Sequence, residues 1–414
     1  MNSKIMRVNW LAVWLGLTTG GLVGLSFPLW WEGGPLPRVP WLASLCGVPI
    51  AVDQLLTVGL GIAVTAMVAV GLAPGLRGSA GPFRAAAGMF AVTLGGLLLL
   101  DQQRLQPWAW QCWLMAALVV LTPTSIAVRC GRWLLASIYF WSGISKIDPL
   151  FVEQHGQLLL GGLLTALGRE AARLPEQVRL GLAWGMPAIE IVIAVALVMP
   201  ALRKAGRLGA TLMHLLLLMA LGPLGLNHHA GVLGWNAALI VLVWLLFSTR
   251  VDATEVPEDS SRILARSAML LACVAIAAPL LTNFHQWDYW PGWSVYSSRP
   301  ATVTLMIDEA FIDELPASLR PLVGSPAPLE RWCRVGIEQW SFVERRVPAY
   351  PQERWKLAVA RTLVDSLPEG TWQVTIARRD GWWGRARRTS EPLSTRSALE
   401  RELTDGTIVN TQSR

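Results

Sequence analysis

Val232-Leu233-Gly234-Trp235-Asn236-Ala237-Ala238-Leu239-Ile240-Val241-Leu242-Val243-Trp244-Leu245-Leu246-Phe247-Ser248-Thr249 runs for eighteen residues without a charge. A helix needs roughly 20 predominantly apolar residues to cross a bilayer. One such run is compatible with the core of a soluble protein, but this chain repeats the pattern. Comparable runs near 8–31, 55–73, 85–100, 108–128, 133–150, 181–200, 208–226 and 266–284 bring the expected count to about nine membrane helices. Of the 414 residues, 53% are hydrophobic and only 15% charged, against about 25% charged in a soluble globular chain. The expected fold is an all-α polytopic membrane bundle over 1–284, followed by a small α+β extracytoplasmic domain over 285–414.

The net charge of +7 does not mark a nucleic-acid binder. Residues 284–414 hold 17 Lys and Arg against 16 Asp and Glu, while residues 1–283 hold 18 against 12. The excess therefore lies in the loops between apolar runs, where it sets orientation, and not on a basic face of a folded domain. Lys4, Arg7, Arg77, Arg84, Arg129, Arg132, Arg203, Lys204, Arg207, Arg250, Arg262 and Arg266 fall on one side of a nine-span chain, 12 of those 18 basic residues. Glu32, Asp53, Asp101, Asp148, Glu153, Glu170 and Glu176 fall on the other. This predicts a multi-pass protein of the inner membrane with a cytoplasmic amino terminus and an extracytoplasmic carboxyl-terminal domain. The lipid bilayer, and an extracytoplasmic protein or peptide, are the expected partners.

The first apolar run lacks a small-residue cleavage site and ends in Pro28-Leu29-Trp30-Trp31, so it reads as a retained span with an interfacial aromatic anchor. Residues 151–180 contain Leu158-Leu159-Leu160-Gly161-Gly162-Leu163-Leu164, too short to span and suited to a re-entrant or interface-lying helix. Gly222-Pro223 should interrupt the seventh helix. Beyond 284, Trp287, Tyr289, Trp290, Trp293 and Tyr296 suggest an aromatic collar at the interface. Segments 302–307 and 372–377 read as strands, Asp380-Gly381 as a hairpin turn, and 352–366 as an amphipathic helix. The last fifteen or so residues are polar and expected to fray. The five cysteines show no C-x-x-C pair and no zinc spacing. They are expected to be unpaired, although Cys46 and Cys333 fall on the same expected side.

Ionisable side chains inside a bilayer are costly and therefore mark candidate sites. Four positions stand out as candidate catalytic residues: Lys146, Glu190, His214 and His228. At 1.5 Å per residue, Glu190 lies roughly 14 Å below the outer face and His214 about 9 Å above the inner one, within a core of ~30 Å. A Glu190–His214 contact is therefore expected to be cheap, and Lys146 is within reach of Glu190. Lys146 has a second option, to snorkel outward beside Asp148. Its use as a general base would require distance from Glu190, because a neighbouring carboxylate favours the ammonium form. His228 and His229 are adjacent and point apart, a weak metal pair, and no metal is expected.

The segment Tyr139-Phe140, Ser142-Gly143, Lys146-Ile147-Asp148, Val152-Glu153 resembles the signature helix of the vitamin K-dependent γ-carboxylase and its HTTM superfamily, with Phe151 and Gln154 departing from the pattern. The resemblance implies an enzyme in which Lys146 is the base and His214 or His228 assists. It also implies a quinol or vitamin K-type lipid cofactor, entering sideways between helices, with Tyr139, Trp141, Asn227, Trp235 and Asn236 as its binding residues. DoxX-type and MauE-type membrane proteins share a looser Gly-x-x-Lys helix, met here by Gly143 to Lys146. Their resemblance implies a non-enzymatic, redox-associated membrane subunit or scaffold that binds a periplasmic partner.

Overall fold

A computed structural model describes residues 3–31, 33–73, 80–248, 259–284, 286–381, 386–404 and 409–412. Among the orienting charges, Glu32, Arg77 and Arg250 lie outside the described residues. The helices are α1 (Ser3–Leu25), α2 (Phe27–Trp30), α3 (Ile50–Leu72), α4 (Ala80–Leu100), α5 (Pro107–Leu121), α6 (Thr124–Lys146), α7 (Pro149–Glu153), α8 (His155–Ala166), α9 (Glu176–Val198), α10 (Arg203–Leu221), α11 (Ala230–Phe247), α12 (Asp259–Ala277), α13 (Ile337–Arg345), α14 (Glu353–Val364) and α15 (Arg396–Thr404). The strands are β1 (Thr302–Asp308), β2 (Trp332–Arg334), β3 (Trp372–Arg379) and β4 (Arg387–Thr389). The chain forms two compact units. One comprises residues 1–25, 58–94 and 106–298, and the other residues 26–57, 95–105 and 299–414.

Among the described residues six helices are long and apolar enough to cross a membrane: Ile50–Leu72, Gly81–Leu100, Glu176–Val198, Arg203–Leu221, Ala230–Phe247 and Ile263–Phe284. Six of the nine expected spans meet this criterion among the described residues, and three do not. Helix α1 has 23 residues, of which Trp10–Leu25 form the apolar stretch among the described side chains; α2 follows, with Pro28 in its first turn. Helix α5 has 15 residues, about 22 Å at 1.5 Å per residue. It stops before Pro123, and α6 then carries Arg129, Arg132 and Lys146 along its length.

In the first unit, α8 is a 12-residue helix, far below spanning length. It packs between α9 and α10 at two glycines: a Cβ on Gly156 would lie 3.0 Å from Ala183 Cβ, and one on Gly162 only 2.6 Å from Ala220 O. Phe151, Val152, Leu159, Ala183 and Leu221 close the cluster around it. Gly222-Pro223 ends α10 at Leu221 and does not kink a helix running on to 226. The following turn folds back onto the helix end, with Leu226 N–H donating to Ala220 O at 2.9 Å and His228 N–H to Leu221 O at 2.7 Å. Asn227, at φ 47°, takes the left-handed conformation that Asn tolerates at such caps. The aromatic collar is also corrected: Tyr289, Trp290 and Trp293 are buried.

The second unit is built on a four-stranded antiparallel sheet of order β2-β1-β3-β4. Alternation puts one face inside, so Val303 faces Ile376, Leu305 faces Val374 and Ile307 faces Trp372 across the β1–β3 ladder, all buried. The strands and the helix expected at 302–307, 372–377 and 352–366 are present, and Gly381, at φ 72°, supplies the positive-φ turn residue after β3. The short elements β2, α13 and α15 carry no long apolar run and escape a reading by periodicity.

This unit also holds a buried charge network that joins distant segments. Asp53 accepts from Arg104 at 2.7 and 2.8 Å and from Arg38 at 3.2 Å. Arg345 donates to Asp101 at 2.8 Å, to Gln103 Oε1 at 2.6 Å, and to the carbonyls of Leu36 and Pro37. Burial, helped by the nearby Arg104, lowers the Arg38 pKa to about 10, and burial lowers that of Arg345. The expected fraying of the carboxyl terminus is corrected at Asn410. It is buried, donates to Trp41 O and Pro40 O, and accepts from Gln102. All five cysteines are free.

Candidate functional site

Tyr139, Ser142, Gly143 and Lys146 recur at i, i+3, i+4 and i+7, which places them on one face of α6. Gly143 decides how near α9 comes. A Cβ there would lie 2.8 Å from both Pro187 O and Ile191 Cγ1 and 3.3 Å from Glu190 Cβ. Only a glycine permits that approach without displacing a backbone carbonyl. The close approach brings Glu190 to Lys146. The lysine Nζ donates to both carboxylate oxygens at 3.0 Å, to Ser142 Oγ at 2.5 Å and to Ser142 O at 3.3 Å. Both side chains are largely withdrawn from solvent, at 6% and 12% exposed.

Two turns further along the same face, about 10 Å by helix rise, lies a second polar group. Tyr139 Oη and His214 Nε2 are 2.8 Å apart, and His214 Nδ1 lies 2.8 Å from Asn236 Oδ1. Asn236 Nδ2 donates to Val232 O, which leaves its Oδ1 to accept from the imidazole. His214 Nδ1 is then the donor, and Nε2 accepts from the tyrosine hydroxyl. The result is a chain of hydrogen bonds tying α6, α10 and α11 together.

The expected Glu190–His214 contact is replaced by Glu190–Lys146 and by Tyr139–His214–Asn236. Lys146 does not turn outward to Asp148, whose carboxylate accepts from Leu150 N–H at 2.9 Å and caps α7. His228 stands apart from both groups: its Nε2 lies 3.5 Å from Tyr296 Oη and its Nδ1 accepts from His229 N–H. Burial lowers the His228 pKa, with His229 adding to the shift, and burial raises that of Tyr296. Trp141 donates to Ile276 O at 2.7 Å and Trp235 to Gln111 Oε1 at 2.9 Å, and Asn227 is an exposed turn residue. Tyr139 and Asn236 therefore meet His214, while Trp141, Trp235 and Asn227 are engaged elsewhere.

Ser142 is the partner that the sequence reading overlooked. Its signal was present: a hydroxyl one turn before a lysine can return a hydrogen bond along the helix. Ser297 and Ser298 were also missed. Ser297 donates to Ser145 O at 3.3 Å, and Ser298 Oγ lies 3.0 Å from His155 Nδ1, so the segment after α12 is fastened to the ends of α6 and α8.

A carboxylate bound through both oxygens, together with a serine, takes up every N–H that Lys146 can offer. A general base must instead direct a lone pair at a substrate proton. The geometry is that of an interhelical clasp.

Six membrane-length helices with polar ties inside the bundle define a multi-pass membrane protein. The sequence profile of the family described as Methylamine utilisation protein MauE matches residues 124–231. The match begins at the first residue of α6, ends at the start of α11, and includes Tyr139, Ser142, Gly143, Lys146, Glu190 and His214. The chain is similar to that family over this stretch, about a quarter of its length. This overturns the γ-carboxylase-like HTTM assignment, whose Tyr139–Glu153 motif lies within the segment that the MauE profile matches. No curated protein and no solved structure matches the chain.

Proposed function

We propose that the chain is a non-enzymatic, redox-associated membrane subunit or scaffold, whose intramembrane polar residues fasten helices and whose portion beyond 284 engages a partner protein outside the cytoplasm. The observation that carries this reading is the enclosure of Lys146 Nζ by Glu190 and Ser142. The likeness to a methylamine utilisation family over 124–231 supports it. Interhelical polar contacts average about 0.6 kcal/mol in membranes, so such residues fasten a bundle without any chemistry of their own.

Lys146→Arg separates anchoring from base catalysis. Arginine keeps the charge and pairs with a carboxylate, but its guanidinium does not deprotonate in proteins. The variant is expected to match the parent in membrane abundance and to complement the phenotype of a deletion strain. A well-folded Lys146→Arg protein that fails to complement would overturn the scaffold reading.

The proposed orientation follows the basic loops: amino terminus in the cytoplasm, residues beyond 284 outside. A reporter fused after Arg414 that is active only outside the cytoplasm is the expected result. Activity of that fusion in the cytoplasm would reverse the orientation.

A further inference from the structure

Arg203 and Arg207 stand one turn apart on α10, at i and i+4, with Lys204 beside them. Helix α10 begins here with no acidic residue in its first turn and no side-chain cap, so the positive end of its dipole adds to the three charges. Among the described residues no carboxylate lies within ion-pair distance of Arg203, Lys204 or Arg207.

Arg207 is fixed in one pose against α11. Its Nη1 donates to Ser248 Oγ at 2.9 Å, and its guanidinium carbon lies 4.7 Å from the centre of the Trp244 ring. Trp244 is fixed in turn by donating to Thr211 Oγ1 at 3.0 Å, and Thr211 donates to Arg207 O at 2.9 Å. Arg207 Nε is covered and has no hydrogen-bond partner, so the guanidinium is positioned while part of its donor capacity is unused. Arg203 bends back to donate to Leu197 O, at the end of α9, at 3.3 Å. A charge that only orients a span needs no such geometry, because orientation follows the number of basic residues in a loop.

Next to the cluster the surface turns apolar. Leu208, Leu212 and Leu215 follow Lys204 at i+4, i+8 and i+11, along one face of the helix. All three are exposed, as are Val241 and Trp244 on α11, and both helices are of membrane length.

We propose that the start of α10 and the end of α11 bind the headgroup of an acidic phospholipid. Its phosphodiester oxygens accept from Arg203, Lys204 and Arg207, and its acyl chains lie along the leucine strip. Basic pockets between helices at a membrane surface suit such headgroups, and a guanidinium offers phosphate two parallel N–H groups. The apolar strip, continuous with the charges, favours a lipid over a free anion. The assignment stands apart from the scaffold reading, which Lys146 variants test.

The test is thermal unfolding of the full chain in neutral detergent, titrated with phosphatidylglycerol, phosphatidylcholine or inorganic phosphate. Phosphatidylglycerol is expected to raise the unfolding temperature at concentrations where the other two do not. Arg207→Gln should raise the concentration needed for half the effect about tenfold. Lys204→Gln, at an exposed side chain whose loss leaves the packing intact, should raise it about fivefold. Arg84→Gln, at an exposed arginine of α4, should leave it unchanged. Equal stabilisation by the two lipids, or an equal loss in Arg84→Gln, would reduce the effect to general charge and overturn the site. Equal stabilisation by inorganic phosphate would make it a free-anion site and overturn the lipid. A dimer that Leu212→Gln dissociates, with no response to phosphatidylglycerol, would give the strip to a second copy and also overturn it.

Discussion

Lys146→Met is expected to destabilise the protein by about 3–5 kcal/mol, the range seen when one partner of a buried ion pair is removed. The substitution keeps the stem and leaves Glu190, whose side chain is 12% exposed, facing Ser142 with no cation. Glu190→Leu should cost a comparable amount, because it strands the ammonium. The double variant Lys146→Met/Glu190→Leu should recover most of the loss, since an apolar pair of similar volume often replaces a buried salt bridge at little cost. Thermal unfolding of the four proteins in one detergent measures the coupling. Additive losses would show that the two side chains do not interact.

A loss of similar size is expected from Asp53→Ala in the second unit. Asp53 is fully buried and is the shared acceptor of Arg104 and Arg38. Arg104 is itself inaccessible to solvent, and its remaining donors go to Leu29 O, Trp30 O and Leu97 O. Removing the carboxylate leaves two adjacent guanidinium groups with no anion between them, at about 3–5 kcal/mol. Trp340, Trp355 and Trp372 are fully buried in this unit, so tryptophan fluorescence should report its unfolding at lower denaturant. An unchanged midpoint would mean that the network is not needed for stability.

The bundle was legible in the sequence wherever hydropathy alone decides. The six membrane-length helices follow from long apolar runs, and strands β1 and β3 and helix α14 from apolar periodicities of 2 and 3.6. Beyond these, α5 stops after 15 residues, short of Pro123, and α6 carries Arg129, Arg132 and Lys146 among its apolar residues. Depth along a helix is one coordinate, and rotation about its axis is another. Glu190 and His214 were close in the first and separated by the second, so their expected contact went instead to Lys146, Tyr139 and Asn236. That choice depends on how near α9 comes to α6, which Gly143 sets through a contact no one-dimensional pattern contains. The charge network was less visible still. Asp53, the Asp101–Arg104 turn and Arg345 come from separate stretches of chain, and as sequence Asp53 and Asp101 read as ordinary loop charges that orient a membrane protein.

The most direct measurement of the central claim is complementation of a deletion strain by the Lys146→Met/Glu190→Leu double variant, with membrane abundance and unfolding temperature read on the same protein. An interhelical clasp requires a well-packed pair and no particular chemistry, so the double variant should fold, insert and complement like the parent. A double variant that reaches parental abundance and stability but fails to complement would contradict this account and return Lys146 or Glu190 to a chemical role.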